Sequence, residues 1–386
     1  MRVYLDHNAT TQTHPEVVKA LIPYYETYFG NASSIHQSGR EAKKALEEAR
    51  GNVASLIGAK SPDEIVFTGG GTEADNFAVM GVARALKGKG NHIITSSIEH
   101  LAVEKPCKFL EKNGFEVTYL PVDQYGVVDI AALKEAITDK TILITVMYAN
   151  NEVGTIEPIK EIAKIAKEKG ITVHTDSVQA IGKIPVDVQD LGADLASLSA
   201  HKFYGPKGVG ALYIKKGTKI TPMQLGGHHE KNRRAGTENI PGIVGMGKAA
   251  QIAAKTIKDE SAKMRALRDR LHKGIEGSVK ETRLNGHPDM RLPNTLNISF
   301  EYLEGESIIL NLDMEGVSVS TGSACTSGSL EPSHVLTAMG VPVVSAQGSI
   351  RFSLGRINSE SDIDYLLEKL PPIIDRLRKM SPLYEG

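Results

Sequence analysis

From about residue 40 to residue 215 the chain alternates short apolar runs with amphipathic stretches. The runs at 64–70 (EIVFTGG), 92–97 (HIITSS), 117–122 (VTYLPV), 142–150 (ILITVMYAN), 171–176 (ITVHTD), 195–200 (LASLSA) and 208–214 (GVGALYI) predict strands. They are short, β-branched and bounded by Gly, Asp, Asn or Ser. Between them, 72–86 and 159–170 carry a helical period, the second stopping at Gly170 with lysines in its last turn. Such alternation predicts an α/β architecture, a mostly parallel sheet with helices on both faces.

Beyond the loop 222–241, a long helical pattern over 242–279 reads as a connector. The last third then changes character: a strand at 294–300 (NTLNISF), a helix at 305–316, a polar loop, a strand within 348–355 (GSIRFSLG) and a helix from Glu360. That mixture predicts a smaller α+β domain. At 386 residues the chain is long enough for two cores. The expected division is a large domain over 15–256 and a small one made from 1–14 and 257–386.

A formal charge of −1 gives no global reason to expect nucleic acid or an anionic membrane as partner. No apolar run approaches the roughly 20 residues that span a bilayer; GIVGMGKAAQIAA is broken by Lys248. The opening MRVYLDHNATT alternates like a strand and lacks the apolar centre of a signal peptide. Two cysteines far apart suggest a reducing compartment, so a soluble cytoplasmic protein is expected.

Cys107 falls in step with Val103 and Leu110 on a predicted helix, which places it in the core. Cys325 is different. It sits in STGSACTSGS (320–329), a polar loop with only Ala324 as an apolar neighbour, and a thiol there is a candidate nucleophile.

Open α/β sheets bind ligands at the carboxyl ends of their strands. There, FTGGGTEADN (67–76) sets three glycines between a strand and a helix. It can cradle a phosphate on free N–H groups and the Thr72 hydroxyl, or simply make a tight turn. Asp176 ends a strand, with Gln179 three residues on. It can pair with a protonated ring nitrogen or cap a helix. Lys202, in SLSAHKFYGPKG (197–208), lies between His201 and Phe203 in a turn broken by Gly205 and Pro206, where an amine can form a Schiff base. Ser199 and His201 beside it are candidate phosphate donors. Together, phosphate turn, carboxylate and lysine make the set that pyridoxal 5'-phosphate requires. His100 is a candidate for ring stacking or proton transfer, or a helix cap. His228 and His229, being adjacent, point apart on regular structure and do not suggest a metal site. Arg351 can grip a carboxylate bidentately or make a surface ion pair.

These residues resemble the cysteine desulfurases of the NifS/IscS type, class-V aminotransferase relatives with the aspartate-aminotransferase fold (fold-type I). The resemblance is carried by YLDHNATT (4–11), SSIHQSGR (33–40), FTGGGTEADN, NNEVGT (150–155), HTDSVQAIGK (174–183), SAHKFYGPKGVG, RRAGTEN (233–239), GSACTSGSLEPSHVL (322–336) and IRFSLGR (350–356). Ala32 and Gly71 depart from it, standing where proline and where alanine or serine are common.

The resemblance implies that Lys202 bears the cofactor and removes the Cα proton, while His100 stacks on the ring. It implies that Asp176 pairs with the ring nitrogen, that Asn151 and Gln179 contact ring substituents, and that Gly71, Thr72, Ser199 and His201 hold the phosphate. Thr237 would reach the phosphate of the other subunit, implying a homodimer with shared sites. Arg351 would bind the carboxylate of L-cysteine. Cys325 would take the sulfur as a persulfide, leave L-alanine, and serve an acceptor such as an iron–sulfur scaffold; separately, exposed thiolates can ligate iron, which makes Cys325 a candidate for transient iron–sulfur ligation and leaves no other metal role expected. The alternatives are a selenocysteine lyase or aminotransferase of the same fold, a nucleotide-binding oxidoreductase, and a non-catalytic sulfur carrier.

Overall fold

The computed structural model describes residues 1–321, 332–382 and 384. The chain enters through a two-residue strand, β1 (Val3–Tyr4), and all seven predicted runs then form strands. They are β2 (Ile65–Thr68), β3 (His92–Ser96), β4 (Glu116–Leu120), β5 (Thr141–Thr145), β6 (Thr172–Asp176), β7 (Leu195–Ser199) and β8 (Gly210–Ile214). Their spatial order is β2-β8-β7-β6-β5-β3-β4. Pairing is parallel from β7 to β4, and β8 alone runs against both of its neighbours. The link from β7 to β8 carries only a single helical turn, Ala200–Lys202, too short for the crossover that a parallel strand needs.

Period-two alternation sorts the strand side chains into two cores. Ile65, Phe67, Ile94, Ile144, Ala211 and Tyr213 face one side. Val66, Ile93, Leu143, Leu212 and Ile214 face the other. On the first side pack the helices Gln37–Leu56 and Ile240–Ser278, through Leu46, Ala49 and Val53 on one and Ile243, Met246 and Ala249 on the other. On the second lie Gly71–Leu86 and Leu101–Glu111, where Val103, Cys107 and Leu110 are buried as expected. Burial pushes the Cys107 thiol far above its ordinary range, so it is inert at neutral pH.

The helix Ile240–Ser278 is shared between cores. Its first half packs on the central sheet, while Leu267, Leu271 and Ile275 belong to a separate apolar cluster. That cluster is built on β9 (Thr282–Asn285), β10 (Thr295–Phe300) and β12 (Ser349–Ser353), an antiparallel sheet, with the helices Gly305–Met314 and Glu360–Met380. β1 pairs in parallel with β11 (Val317–Ser318) beside it. The opening segment is thus strand only over two residues; from Asp6 to Thr11 it turns along the seam between the sheets, bonded to Ser353 and His201. Among the described residues no helix is long and apolar enough to cross a membrane.

Candidate active site

β2, β3, β5, β6 and β7 end on the same edge of the central sheet, and a cavity of about 280 Å³ opens there. Ten of the predicted residues line it: Gly71, Thr72, His100, Asn151, Asp176, Gln179, Ser199, His201 and Lys202, with Arg351 entering from β12. Thr237 is not in this wall, and Cys325 lies outside the described residues.

At one end of the cavity, Gly71 and Thr72 begin the helix Gly71–Leu86, whose first N–H groups lack intrahelical partners. A Cβ on Gly71 would stand 2.9 Å from Val178 Cγ2, so the missing side chain keeps this end open. His201 Nδ1 meets Thr10 Oγ1 at 3.1 Å. Burial, then the charges of Lys202, Lys207 and Lys183, lower its pKa to about 4, so the ring is neutral near pH 7.

At the other end Asp176 terminates β6, its Oδ1 accepting from Val178 N at 2.9 Å. The capping geometry that the sequence allowed is real, but no helix follows; the carboxylate faces the cavity. Burial raises its pKa, and His100 and Lys202 pull it back toward ionisation. Asp75, also in the wall, is raised well above its ordinary value by burial and by the charge of Asp176. Of two neighbouring buried carboxyls, Asp75 is the more strongly raised, so Asp176 is the easier to ionise.

His100 both caps and lines. Its Nδ1 accepts from Ala102 N at 3.1 Å at the head of Leu101–Glu111. Lys202 ends the turn Ala200–Lys202 after β7, and its Nζ donates to the main-chain oxygens of Asn8 and, at 2.8 Å, Ala9. The turn is braced by Tyr204, which adopts a left-handed φ of 66° and donates its N–H to Thr11 Oγ1 at 2.9 Å. Gly205 allows the close return, since a Cβ there would lie 2.8 Å from Ala200 Cβ.

Arg351 is not a surface residue; it is only 3% exposed. Nη2 reaches Asp6 Oδ1 at 2.8 Å and Nη1 donates to Asn151 O at 3.0 Å, while buried Nε has no partner. Nη1 and Nη2 are thus tied to neighbours, and each keeps a second N–H.

Asn8, Asp75 and Lys183 were given no role from the sequence. Asn8 joins the seam through Thr295 Oγ1, Asn151 O, Ser353 Oγ and Asn294 Nδ2. Each lies inside a quoted motif, but only the fold shows that they converge. The loop 228–239 reaches the cradle by another route: Arg234 Nε bonds Glu73 Oε1 at 2.8 Å, next to Thr72. His228 bonds Asn232 instead of sharing a ligand with His229.

The aminotransferase class-V model matches residues 3–366. A cysteine desulfurase IscS of Dictyoglomus turgidum is 58% identical over 98% of this chain and 96% of its own length. Among solved structures, a NifS-like protein superposes with a TM-score of 0.92 at 41% identity, covering 98% of this chain and 100% of that one. SspA in complex with cysteine superposes at 0.82, 36% identical, covering 92% of this chain and 100% of that one. The chain belongs to the aminotransferase class-V family and, within it, to the cysteine desulfurases.

Proposed function

We propose that this chain removes sulfur from L-cysteine with the help of pyridoxal 5'-phosphate, giving L-alanine and a persulfide on Cys325. The observation that carries the reading is the content of one cavity: an ionisable buried carboxyl, a lysine amine and a helix-terminal cradle on three neighbouring elements. That donor set fits the cofactor: a phosphate at the cradle, a ring nitrogen at Asp176, an aldehyde carbon at Lys202.

When bound, the cofactor supplies an electron-withdrawing ring that stabilises negative charge at the substrate Cα. Gly71, Thr72, Ser199 and His201 hold its phosphate, and Thr237 of the partner subunit completes the cradle in a homodimer. Asp176, ionised, keeps the ring nitrogen protonated, while His100 covers the ring and Asn151 and Gln179 fix its substituents. Arg351 binds the substrate carboxylate with the donor that Asp6 and Asn151 leave over. The Lys202 amine takes the Cα proton. The Cys325 thiolate then attacks the substrate sulfur: an S–S bond forms, the Cβ–S bond breaks, and its electron pair stays with the carbon skeleton, which gains protons to become alanine. The persulfide passes to an acceptor such as an iron–sulfur scaffold, in the cytoplasm. In this reading 15–256 form the cofactor-binding domain, and 1–14 with 257–386 the domain that carries Cys325.

The test is an assay of alanine and chain-bound sulfur with L-cysteine as substrate. Wild type should give both; Cys325→Ser should keep cofactor and substrate binding and lose persulfide. Alanine and sulfide produced by Cys325→Ser at the wild-type rate would refute the assignment.

A further inference from the structure

Two residues past Lys202 the backbone is strained. Tyr204 holds a left-handed φ of 66°, an outlier for a bulky side chain, and it does so while buried. Such outliers persist only where the surroundings over-determine them, and they gather at functional sites. Thr11 grips the main chain on both flanks of Lys202 and Phe203. Its N and Oγ1 donate to His201 O at 3.0 and 2.9 Å, and the same Oγ1 accepts from Tyr204 N. Tyr204 O in turn accepts from His14 N at 2.9 Å. These bonds fix the peptide groups; the large ring needs a hold of its own.

That hold comes from the other sheet. Arg356 lies just beyond β12, the strand that carries Arg351, and its guanidinium carbon stands 4.3 Å from the centre of the Tyr204 ring. A cation over an aromatic face is attracted to it. The Arg356 main-chain N–H also donates to the Tyr204 hydroxyl at 2.8 Å. Arg356 is itself tied to the helix Ile240–Ser278, which both cores share. Nη2 pairs with Glu260 Oε1 at 2.5 Å and meets Thr256 Oγ1 at 3.5 Å, while Lys263 Nζ donates to Arg356 O at 2.9 Å. The two side chains of the Arg356–Glu260 pair are only 16% and 18% exposed, so salt screens it less than a surface pair. Arg356 is not in the cavity wall.

We propose that Arg356 is a positioning residue for Lys202: anchored on the shared helix, it clamps the Tyr204 ring and so holds the strained turn that aims the Lys202 amine into the cavity. This rests on the reading of Lys202 as the cofactor-bearing base. Arg356 acts through Tyr204 and not on the substrate. A base displaced by about 1 Å can lose roughly a hundredfold in rate, so a clamp two residues away has a kinetic effect. Glycine adopts a left-handed φ as readily as any other. The clamp therefore has a signature of its own: Arg356 should matter in the wild-type background and cease to matter in Tyr204→Gly.

The experiment is a double-mutant cycle on the holoenzyme: wild type, Arg356→Gln, Tyr204→Gly and the double variant. kcat and KM for L-cysteine are measured as alanine formed per Lys202 that borohydride links to cofactor, so that partial loading does not count as lost rate. Arg356→Gln should lower kcat about tenfold in the wild-type background and less than about threefold in Tyr204→Gly. KM should move less than about threefold in both, since Arg351 keeps its own partners. A merely structural role would lower the melting temperature and the loading, and leave kcat per loaded site unchanged. Three results would overturn the proposal: a kcat loss under about threefold in the wild-type background, a loss of about threefold or more in Tyr204→Gly, or a KM shift of about threefold or more. If Arg356→Gln forms no holoenzyme, Arg356→Met, which keeps the apolar stem over the ring, replaces it under the same limits. Tyr204→Asn likewise replaces Tyr204→Gly, because asparagine tolerates the left-handed region. A wild type in which borohydride links no cofactor to Lys202 refutes the reading of the site itself. A linked Lys202 with rates outside these limits refutes only the clamp.

Discussion

The two edges of the central sheet each hold a cavity, and they are unlike. At the amino edge a space of about 560 Å³ is lined by Lys89, Lys167, Lys215, Lys216 and Lys219. At the carboxyl edge the cavity lined by Lys202 is half that size, about 280 Å³, and a second space of about 550 Å³ adjoins it at Gly71, Thr72, Ser199 and His201. Charge alone would favour the amino edge. Yet its lysines are solvated: Lys215 pairs with Asp194 and Lys89 donates to Gly170 O. The carboxyl edge instead buries its charges and shifts them, and every shift there has a named neighbour. Chemistry follows from desolvated groups held in fixed relation, which a solvated lysine cluster lacks.

The contrast can be broken first at Lys202. Lys202→Ala should lower turnover by roughly 10²–10⁴-fold or more, while cofactor still binds at the cradle without covalent attachment. Turnover within tenfold of wild type, measured as alanine formed, would remove the base from the carboxyl edge. A smaller loss is expected at Arg351. Arg351→Lys keeps the charge but loses the planar fork, so KM for cysteine should rise roughly 10- to 100-fold with kcat changed less. A KM unchanged by that substitution would mean that the substrate carboxylate binds elsewhere.

pH sharpens the comparison. His7 and His201 are lowered to about 4 and His174 to about 3, whereas Glu99 and Glu157 are raised to about 8, each chiefly by burial. The folded state therefore binds fewer protons than the unfolded chain at the histidines below pH 6.5, and more at the carboxyls above pH 4.5. Below about pH 4.5 only the histidine effect remains, so stability falls as acid is added. Above about pH 6.5 only the carboxyl effect remains, so stability falls up to about pH 8; between the two limits they oppose each other. Urea midpoints of the cofactor-free protein at pH 4, 5.5 and 8 should pass through a maximum, and a steady rise to pH 8 would contradict the assignment. The smallest effect is expected at the amino edge. Lys216→Ala with Lys219→Ala should leave kcat unchanged and stability within about 0.5 kcal/mol. A loss of activity there would erase the distinction between the edges.

Much of the carboxyl edge was legible because each candidate follows a strand, and the strands were readable from β-branched runs bounded by Gly and Asp. Asp176, Lys202 and His100 converge because β6, β7 and β3 are parallel near-neighbours. The helix Gln37–Leu56 was not read, since its buried face is largely alanine and glycine, with little apolar contrast. The expected strand at 142–150 stops at Thr145, where the chain leaves the sheet to carry Met147 and Asn151 into the cavity. Asn8 and Lys183 stayed hidden for a different reason. Their significance lies in hydrogen bonds across a sequence separation of 175 residues, which no local pattern records.

The most direct test of the account is the absorption spectrum of the purified protein before and after borohydride, followed by peptide mapping. The account predicts a visible band that reduction removes, with the cofactor fixed on the peptide containing Lys202. A protein that neither shows the band nor gains it with added pyridoxal 5'-phosphate, or that fixes the cofactor on another lysine, would contradict it.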